Sequence, residues 1–138
     1  MEDNRHANSD ELAKLKSEFQ KAVNAVKIVF GKKAFRKVKV SKEGKSQWDS
    51  AINRAVFEIQ MIGLKDIPEK DLFKLSKSIV NEFERLCIEN RDFADVITRS
   101  TADRTRFYKR FIIFRNILKS LSLFPPILKI LPSKIEHI

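Results

Sequence analysis

Phe107, Phe111, Phe114, Leu118 and Leu121 follow one another at steps of four, three, four and three residues. That spacing sets all five side chains on one face of an α-helix, whereas a strand would divide them between two faces. The same period recurs upstream in Leu12, Leu15, Phe19, Val23, Val26 and Phe30, and again in Leu72, Leu75, Ile79, Phe83 and Leu86. Between these two stripes, Ile52, Val56 and Ile59 mark one face of a helix while Phe57 and Met61 point almost the opposite way. A helix that is apolar on two sides belongs at the centre of a bundle. The repeated period therefore predicts an all-α fold, a single helical bundle of about five helices.

Start and stop signals agree with these stripes. Asn8 and Glu11 have the spacing of a capping box ahead of the first stripe, and Gly31 follows its last residue, where a helix C-terminus favours positive φ. Residues 1–8 then read as a flexible tail. Asp66, Pro68 and Glu69 form the start signal of the third helix, and Asn90 and Asp92 open a short fourth one containing Phe93, Val96 and Ile97. The second helix is expected from about Gln47 to Leu64 and the fifth from about Thr101 to Leu121, ahead of Pro125 and Pro126. Residues 32–47 lack a helical period: Val38 and Val40 alternate with lysines, which suits a short edge strand or an extended loop, and Gly44 marks a turn. The expected organisation is a helical domain over 9–121, with a basic loop between its first two helices, followed by an apolar, proline-containing tail over 122–138. Core positions are expected at Phe19, Ile52, Val56, Phe57, Ile59, Phe83, Phe107, Phe111 and Phe114.

With 138 residues, 43% of them hydrophobic and only three Gly and four Pro, the chain suits one domain with a real core. A single cysteine, Cys87, excludes a disulfide framework and a thiolate zinc site. It falls in an apolar helical pattern as a small core residue, near Glu84 and Glu89 instead of the cations that activate a thiol. No stretch reaches the roughly 18 apolar residues of a membrane span. The acidic, polar beginning MEDNRHANSD is unlike a signal peptide. Reducing cytoplasm is the expected compartment.

The formal charge of +10 is unevenly spread. Residues 27–45 hold eight basic side chains against Glu43 alone, residues 99–119 hold seven against Asp103 alone, and residues 66–95 are acidic on balance. Segregation of this kind suits attraction to a polyanion. Three readings of the basic runs remain open at this level: solvated helix faces, a nucleic-acid surface, or a dock for an acidic partner. Under the second reading, Lys32, Lys33, Arg36, Lys37 and Lys39 of the loop and Arg104, Arg106 and Lys109 of the fifth helix are the phosphate contacts. No zinc finger, RNP signature or helix-turn-helix specifies how sequence would be read. Arg110 stands apart, since it lies beside the apolar stripe about 60° from Phe107, at 100° per residue. A guanidinium so placed needs a carboxylate, and Glu58 of the central helix is the first candidate for a structural ion pair.

Signs of catalysis are lacking. No phosphate-binding GxxxxGK[ST] loop, GxGxxG turn, HExxH pair or GxSxG elbow occurs. The two histidines, His6 and His137, lie near the termini, away from any cluster. Asp92 and Asp95 share a helical face, but that spacing serves capping and solvation more readily than metal binding. Neither catalytic residues, metal ligands nor a cofactor motif can be assembled, so a non-enzymatic role is expected.

Three segments together carry a family likeness: VFGKKAFRK at 29–37, INRAVFEIQ at 52–60 and RDFADVITRSTADRTRFYKRF at 91–111. Phe30, Gly31, Ala34, Phe35 and Arg36 meet its first pattern, and Ile52, Asn53, Phe57 and Glu58 its second. Thr101, Arg110 and Phe111 meet the third. In order and spacing the chain resembles, over about 12–118, the C-terminal helical part of the ParB/sulfiredoxin-like family that includes GmrSD-type modification-dependent restriction proteins of phage defence. The family's N-terminal Asp-Gly-Gln-Gln-Arg-type motif and its appended HNH nuclease domain have no counterpart in these 138 residues. A fragment, a split-system subunit and a complete protein are all compatible with that.

The resemblance implies a non-catalytic helical accessory module of a restriction-type protein. Its partners would be a ParB-like catalytic domain or separate protein, and a DNA or RNA backbone. The alternative is a structural or oligomerisation module that packs on that domain without touching nucleic acid. The apolar tail, with Leu121, Leu123, Phe124, Ile127, Leu128, Ile130 and Leu131, suits core or partner packing better than a membrane surface.

Overall fold

A computed structural model describes the backbone of residues 2–98 and 104–123 and the side chains of 9–98 and 105–123. Five helices run in order: α1 (Glu2–Phe30), α2 (Arg54–Leu64), α3 (Glu69–Glu89), α4 (Arg91–Thr98) and α5 (Arg104–Ser120). A hairpin of β1 (Val38–Val40) and β2 (Ser46–Trp48) lies between α1 and α2. The fold is a helical bundle in which α1 packs on α2 and α3, and α5 closes over α2, α3 and α4.

Phe83 of α3, fully buried, is the hub of the core. Its ring meets Phe30 of α1 at 5.4 Å, Phe93 of α4 at 5.9 Å and Phe114 of α5 at 6.1 Å, all edge-on, and stacks on Trp48 of β2 at 6.1 Å. Tilted and edge-on rings satisfy the aromatic quadrupole while filling the space between elements. The second helix is the most enclosed: Ala55, Val56, Ile59, Gln60, Met61, Gly63 and Leu64 are all buried. Gly63 permits a close approach to α5, because a Cβ there would lie 2.8 Å from the ring of Phe114.

Several boundaries differ from the sequence expectation. The first helix begins at Glu2, so residues 2–8 are not a separate tail and Asn8 and Glu11 lie within the helix. Nothing in that stretch, which lacks Gly and Pro, interrupts helical backbone. The 29 residues of α1 extend about 44 Å, against about 16 Å for the 11 of α2. The first half of α1 consequently outruns its neighbours. Leu12, Leu15 and Phe19 are 62%, 64% and 53% exposed, and burial of the stripe starts only at Ala22. Phe19 is thus not a core residue.

The second helix starts at Arg54, not near Gln47. Asn53 is its cap, with Oδ1 accepting from the Val56 N–H at 3.0 Å, and Ser46–Trp48 are engaged in β2. Ile52 precedes the cap and is exposed instead of buried. The basic loop is an antiparallel hairpin in the register Val38↔Trp48, Lys39↔Gln47 and Val40↔Ser46, turning through Gly44 at φ +82. Phe57 and Phe107, expected in the core, are half-buried at its margin.

Other signals hold. Gly31 takes φ +57 after α1, and Asn90 caps α4 through the Phe93 N–H at 2.9 Å. The third helix starts at Glu69 with Pro68 at its cap position. The Thr101 start expected for the fifth helix, and nearly all of the 122–138 tail, lie outside the described residues.

Candidate nucleic-acid interface

Strand alternation determines which hairpin residues face outwards. Val38 is buried and Trp48, opposite it, stacks on Phe83, so this side faces the bundle. Lys39 and its partner Gln47 take the other side. Lys37 joins them, its carbonyl accepting from the Asp49 N–H at 2.9 Å. The turn beyond carries exposed Lys42 and Lys45, which the sequence places in the basic run without assigning them to a surface.

The eight candidate cations differ in how they are held. Lys32 is exposed, and exposed Lys33 has its Nζ 5.2 Å from the centroid of the Trp48 ring. Lys39 pairs with Asp49 at 3.7 Å while keeping most of its side chain in water. Lys37 donates to Thr98 Oγ1 at 3.3 Å. Arg106 pairs with Asp95 at 3.7 Å, and Lys109 is half-buried on α5. Arg104 opens α5, and its side chain lies outside the described residues.

Arg36 has a different role. It donates Nε to the Lys32 carbonyl at 3.3 Å and Nη1 to the carbonyls of Asp49 and Ser50. Its guanidinium thus ties the start of the basic segment to the loop leading into α2, and is turned towards the protein's own backbone instead of towards phosphate.

The two basic segments, some 70 residues apart in sequence, meet at α4. Lys37 contacts Thr98 and Arg106 contacts Asp95, and those two α4 residues are three positions apart. Residues at that separation are neighbours on a helix surface, with Cβ atoms roughly 5–6 Å apart. The charge of the hairpin and of α5 is thereby brought to one edge. Asn53 supports it from below by donating Nδ2 to the Ile97 carbonyl at 2.9 Å.

Asp49 is the anion embedded in this cationic surface. Its carboxyl is held below its ordinary value chiefly by the Ala51 N–H, which donates to Oδ1 at 3.3 Å. Lys39, the Ser50 N–H and Lys37 act in the same direction, against the opposing effect of desolvation. It remains ionised at neutral pH and partly offsets the potential of the hairpin.

Arg110 and Glu58 form a separate, structural unit. Arg110 is fully buried, with Nη2 3.0 Å from Glu58 Oε2 and Nη1 3.4 Å from the Val96 carbonyl. Its guanidinium carbon sits 5.4 Å from the centroid of the Phe107 ring, and Arg54 approaches the other Glu58 oxygen at 3.5 Å. Sequence reasoning missed a second buried polar residue, Gln60, whose Oε1 accepts from the Phe35 N–H at 2.9 Å. This bond anchors Phe35 at φ 65, a backbone conformation uncommon for a bulky residue. A glutamine inside the apolar run 55–64 was the available signal.

A depression of about 540 Å³ between α3 and α4 is lined by Glu82, Arg85, Glu89, Arg91 and Asp92 among others. Arg85 bridges Glu82 at 3.2 Å and Glu89 at 3.5 Å, so most of its charge is paired within the depression. Among the described residues no group of three or more His, Cys, Asp or Glu side chains is placed to hold a metal ion. No helix among them is long and apolar enough to cross a membrane. Comparison with protein-family models, curated proteins and solved structures finds no match to this chain.

Proposed function

We propose that the chain is a non-catalytic helical accessory module of a restriction-type phage-defence protein. In this reading it contributes nucleic-acid backbone contacts for a ParB-like catalytic domain, on the same or a separate protein. The observation that carries the binding part is the meeting of two distant basic segments at Thr98 and Asp95 of α4, beside a hairpin with lysines on its outer side. The three-segment family likeness supports the restriction context. Lys32, Lys33, Lys37 and Lys39, with Lys42 and Lys45 at the turn and Lys109 on α5, contact phosphates. Arg36 shapes the loop that presents them.

Contacts of this kind position a backbone and carry little base information. Binding is therefore weak in sequence preference and strong in salt dependence. Phosphoryl transfer needs a positioned nucleophile and usually a metal held by carboxylates, and the cationic edge supplies only the charge. The isolated chain then binds duplex without cleaving it.

The test is fluorescence anisotropy of a labelled duplex at low salt. The wild-type chain is expected to bind, and the triple variant Lys33→Glu, Lys37→Glu, Lys39→Glu to lose at least tenfold in affinity while its helical circular dichroism is retained. A wild type that fails to bind, or a folded triple variant that binds as well, assigns the chain to a packing role on the catalytic domain.

A further inference from the structure

The N-terminal half of α1 leaves an apolar groove. Leu12, Leu15 and Phe19 on α1 and Met61 and Ile62 on α2 line a space of about 580 Å³, with the Lys65–Glu18 pair, 3.8 Å apart, at its rim. Every described side chain from Ser9 to Lys21 is exposed, so two apolar turns of this helix stand in water. Contiguous apolar surface of this kind costs free energy until something covers it.

We propose that the occupant is α1 of a second copy of this chain, laid parallel and in register along the same stripe, so that the groove is the face of a weak two-fold dimer. The spacing of the stripe suits a helix. Leu12, Leu15 and Phe19 alternate steps of three and four, the a and d seam of a two-stranded coiled coil. Ala22 and Val26 continue the same seam and are buried in the protomer's own core. One period thus serves the bundle from Ala22 onwards and lacks a partner ahead of it.

Charge decides which helix covers the stripe and in which direction. At 100° per residue, Glu11 and Lys16 stand about 70° to either side of its middle, at the g and e positions of the seam. In a parallel pair in register, each g residue faces the e residue of the next heptad on the other helix. Glu11 then meets the second copy's Lys16, and Lys16 the second copy's Glu11, two ion pairs related by the two-fold axis. An antiparallel pair would set glutamate against glutamate and lysine against lysine. Among the described residues neither Glu11 nor Lys16 has a charged partner within the protomer. Three and four positions from Lys16 stand Leu12, Ala13, Phe19 and Gln20, none of which supplies a carboxylate.

The seam from Leu12 to Phe19 extends only about 12 Å. Even with the wall of α2 it makes a smaller face than the ~800 Å² per partner of a stable complex, so the dimer forms and parts with concentration. The face lies on α1 and α2, and the cationic edge on the hairpin, α4 and α5. Dimerisation therefore stands or falls independently of nucleic-acid binding.

Sedimentation velocity of the full chain, at low salt and without nucleic acid, tests it. Between about 5 µM and about 500 µM the average mass is expected to rise from one chain towards two. Glu11→Lys and Lys16→Glu each oppose like charges in a dimer of their own kind, and each is expected to weaken association about tenfold. Mixed in equal amounts, the two variants are expected to associate as well as the wild type, because every pair across the mixed seam joins opposite charges. Both positions are exposed, so the helical circular dichroism is expected to stay unchanged. A wild type that remains one chain at every concentration overturns the proposal and gives the groove to another occupant. Association that the single reversals leave as strong, or that mixing fails to restore, overturns it equally.

Discussion

Arg110 keeps no solvent exposure, whereas Glu58, 3.0 Å away, leaves 30% of its side chain in water. The pair is therefore asymmetric. Removing Glu58 takes a carboxylate from a fully buried guanidinium, while removing Arg110 leaves a carboxylate that retains water and Arg54 at 3.5 Å. Glu58→Ala is expected to cost about 3 kcal/mol, the usual cost of breaking a buried pair from one side. Arg110→Met, which refills the space with apolar atoms, is expected to cost less than half of that. Urea unfolding of the two variants checks the order, and a larger loss for Arg110→Met contradicts it.

Gly63 of α2 faces the Phe114 ring of α5 with no room for a Cβ between them. Alanine at 63 would gain about 1 kcal/mol in helix propensity. It would also place a methyl 2.8 Å from a ring that is wholly buried. Overpacking of this kind costs typically about 1–3 kcal/mol, so Gly63→Ala is expected to lower the melting temperature despite the better helix former. A raised melting temperature would show that the Phe114 ring gives way freely.

Burial pushes the Cys87 thiol from 9.0 up to about 11. The unfolded chain releases its thiol proton first, so the native state binds more protons between those two values. This contribution to stability is complete below pH 9 and is lost as the pH rises towards 11, by about 1.4 kcal/mol per pH unit at most. The difference in stability between wild type and Cys87→Ala, followed from pH 8 to 10.5, should shrink accordingly. At pH 8 the native thiol should react with an aromatic disulfide reagent only as fast as the protein opens.

Much of this fold was legible because the apolar period of three and four reports a helix face directly. Phe83, Phe111 and Phe114 are buried as their stripes require, and the same angular argument turned Arg110 towards Glu58. Periodicity does not report what lies opposite a face. Leu12 and Phe19 belong to the same stripe as Val26, yet the short α2 covers this part of α1 only in part, and both stay more than half exposed. The hairpin was harder still: Val38 and Trp48 pair across a turn, and their inward side is set by Phe83, far away in sequence. The candidate interface was legible as charge but not as geometry. The fate of Arg36 depended on carbonyls at 49 and 50 brought to it only by the folded loop.

Asp49 gives a test in the opposite direction from charge removal. Asp49→Asn removes the anion beside Lys39 while preserving the shape of the side chain, and should tighten duplex binding a few-fold at low salt. Because the wild-type carboxyl is held below its ordinary value, this difference should stay constant from pH 6 to pH 8. Weaker binding by Asp49→Asn would mean that Asp49 matters chiefly for holding the loop through Ala51.

The salt dependence of duplex binding is the most direct measure of the cationic edge. If about four lysines of the hairpin, its flank and α5 meet phosphates together, log affinity should fall against log salt with a slope of roughly −4. The triple variant Lys33→Glu, Lys37→Glu, Lys39→Glu should flatten that slope to near −1 or abolish binding. A wild-type slope near zero, or no binding at 50 mM salt or below, would contradict nucleic-acid contact as the function of this surface.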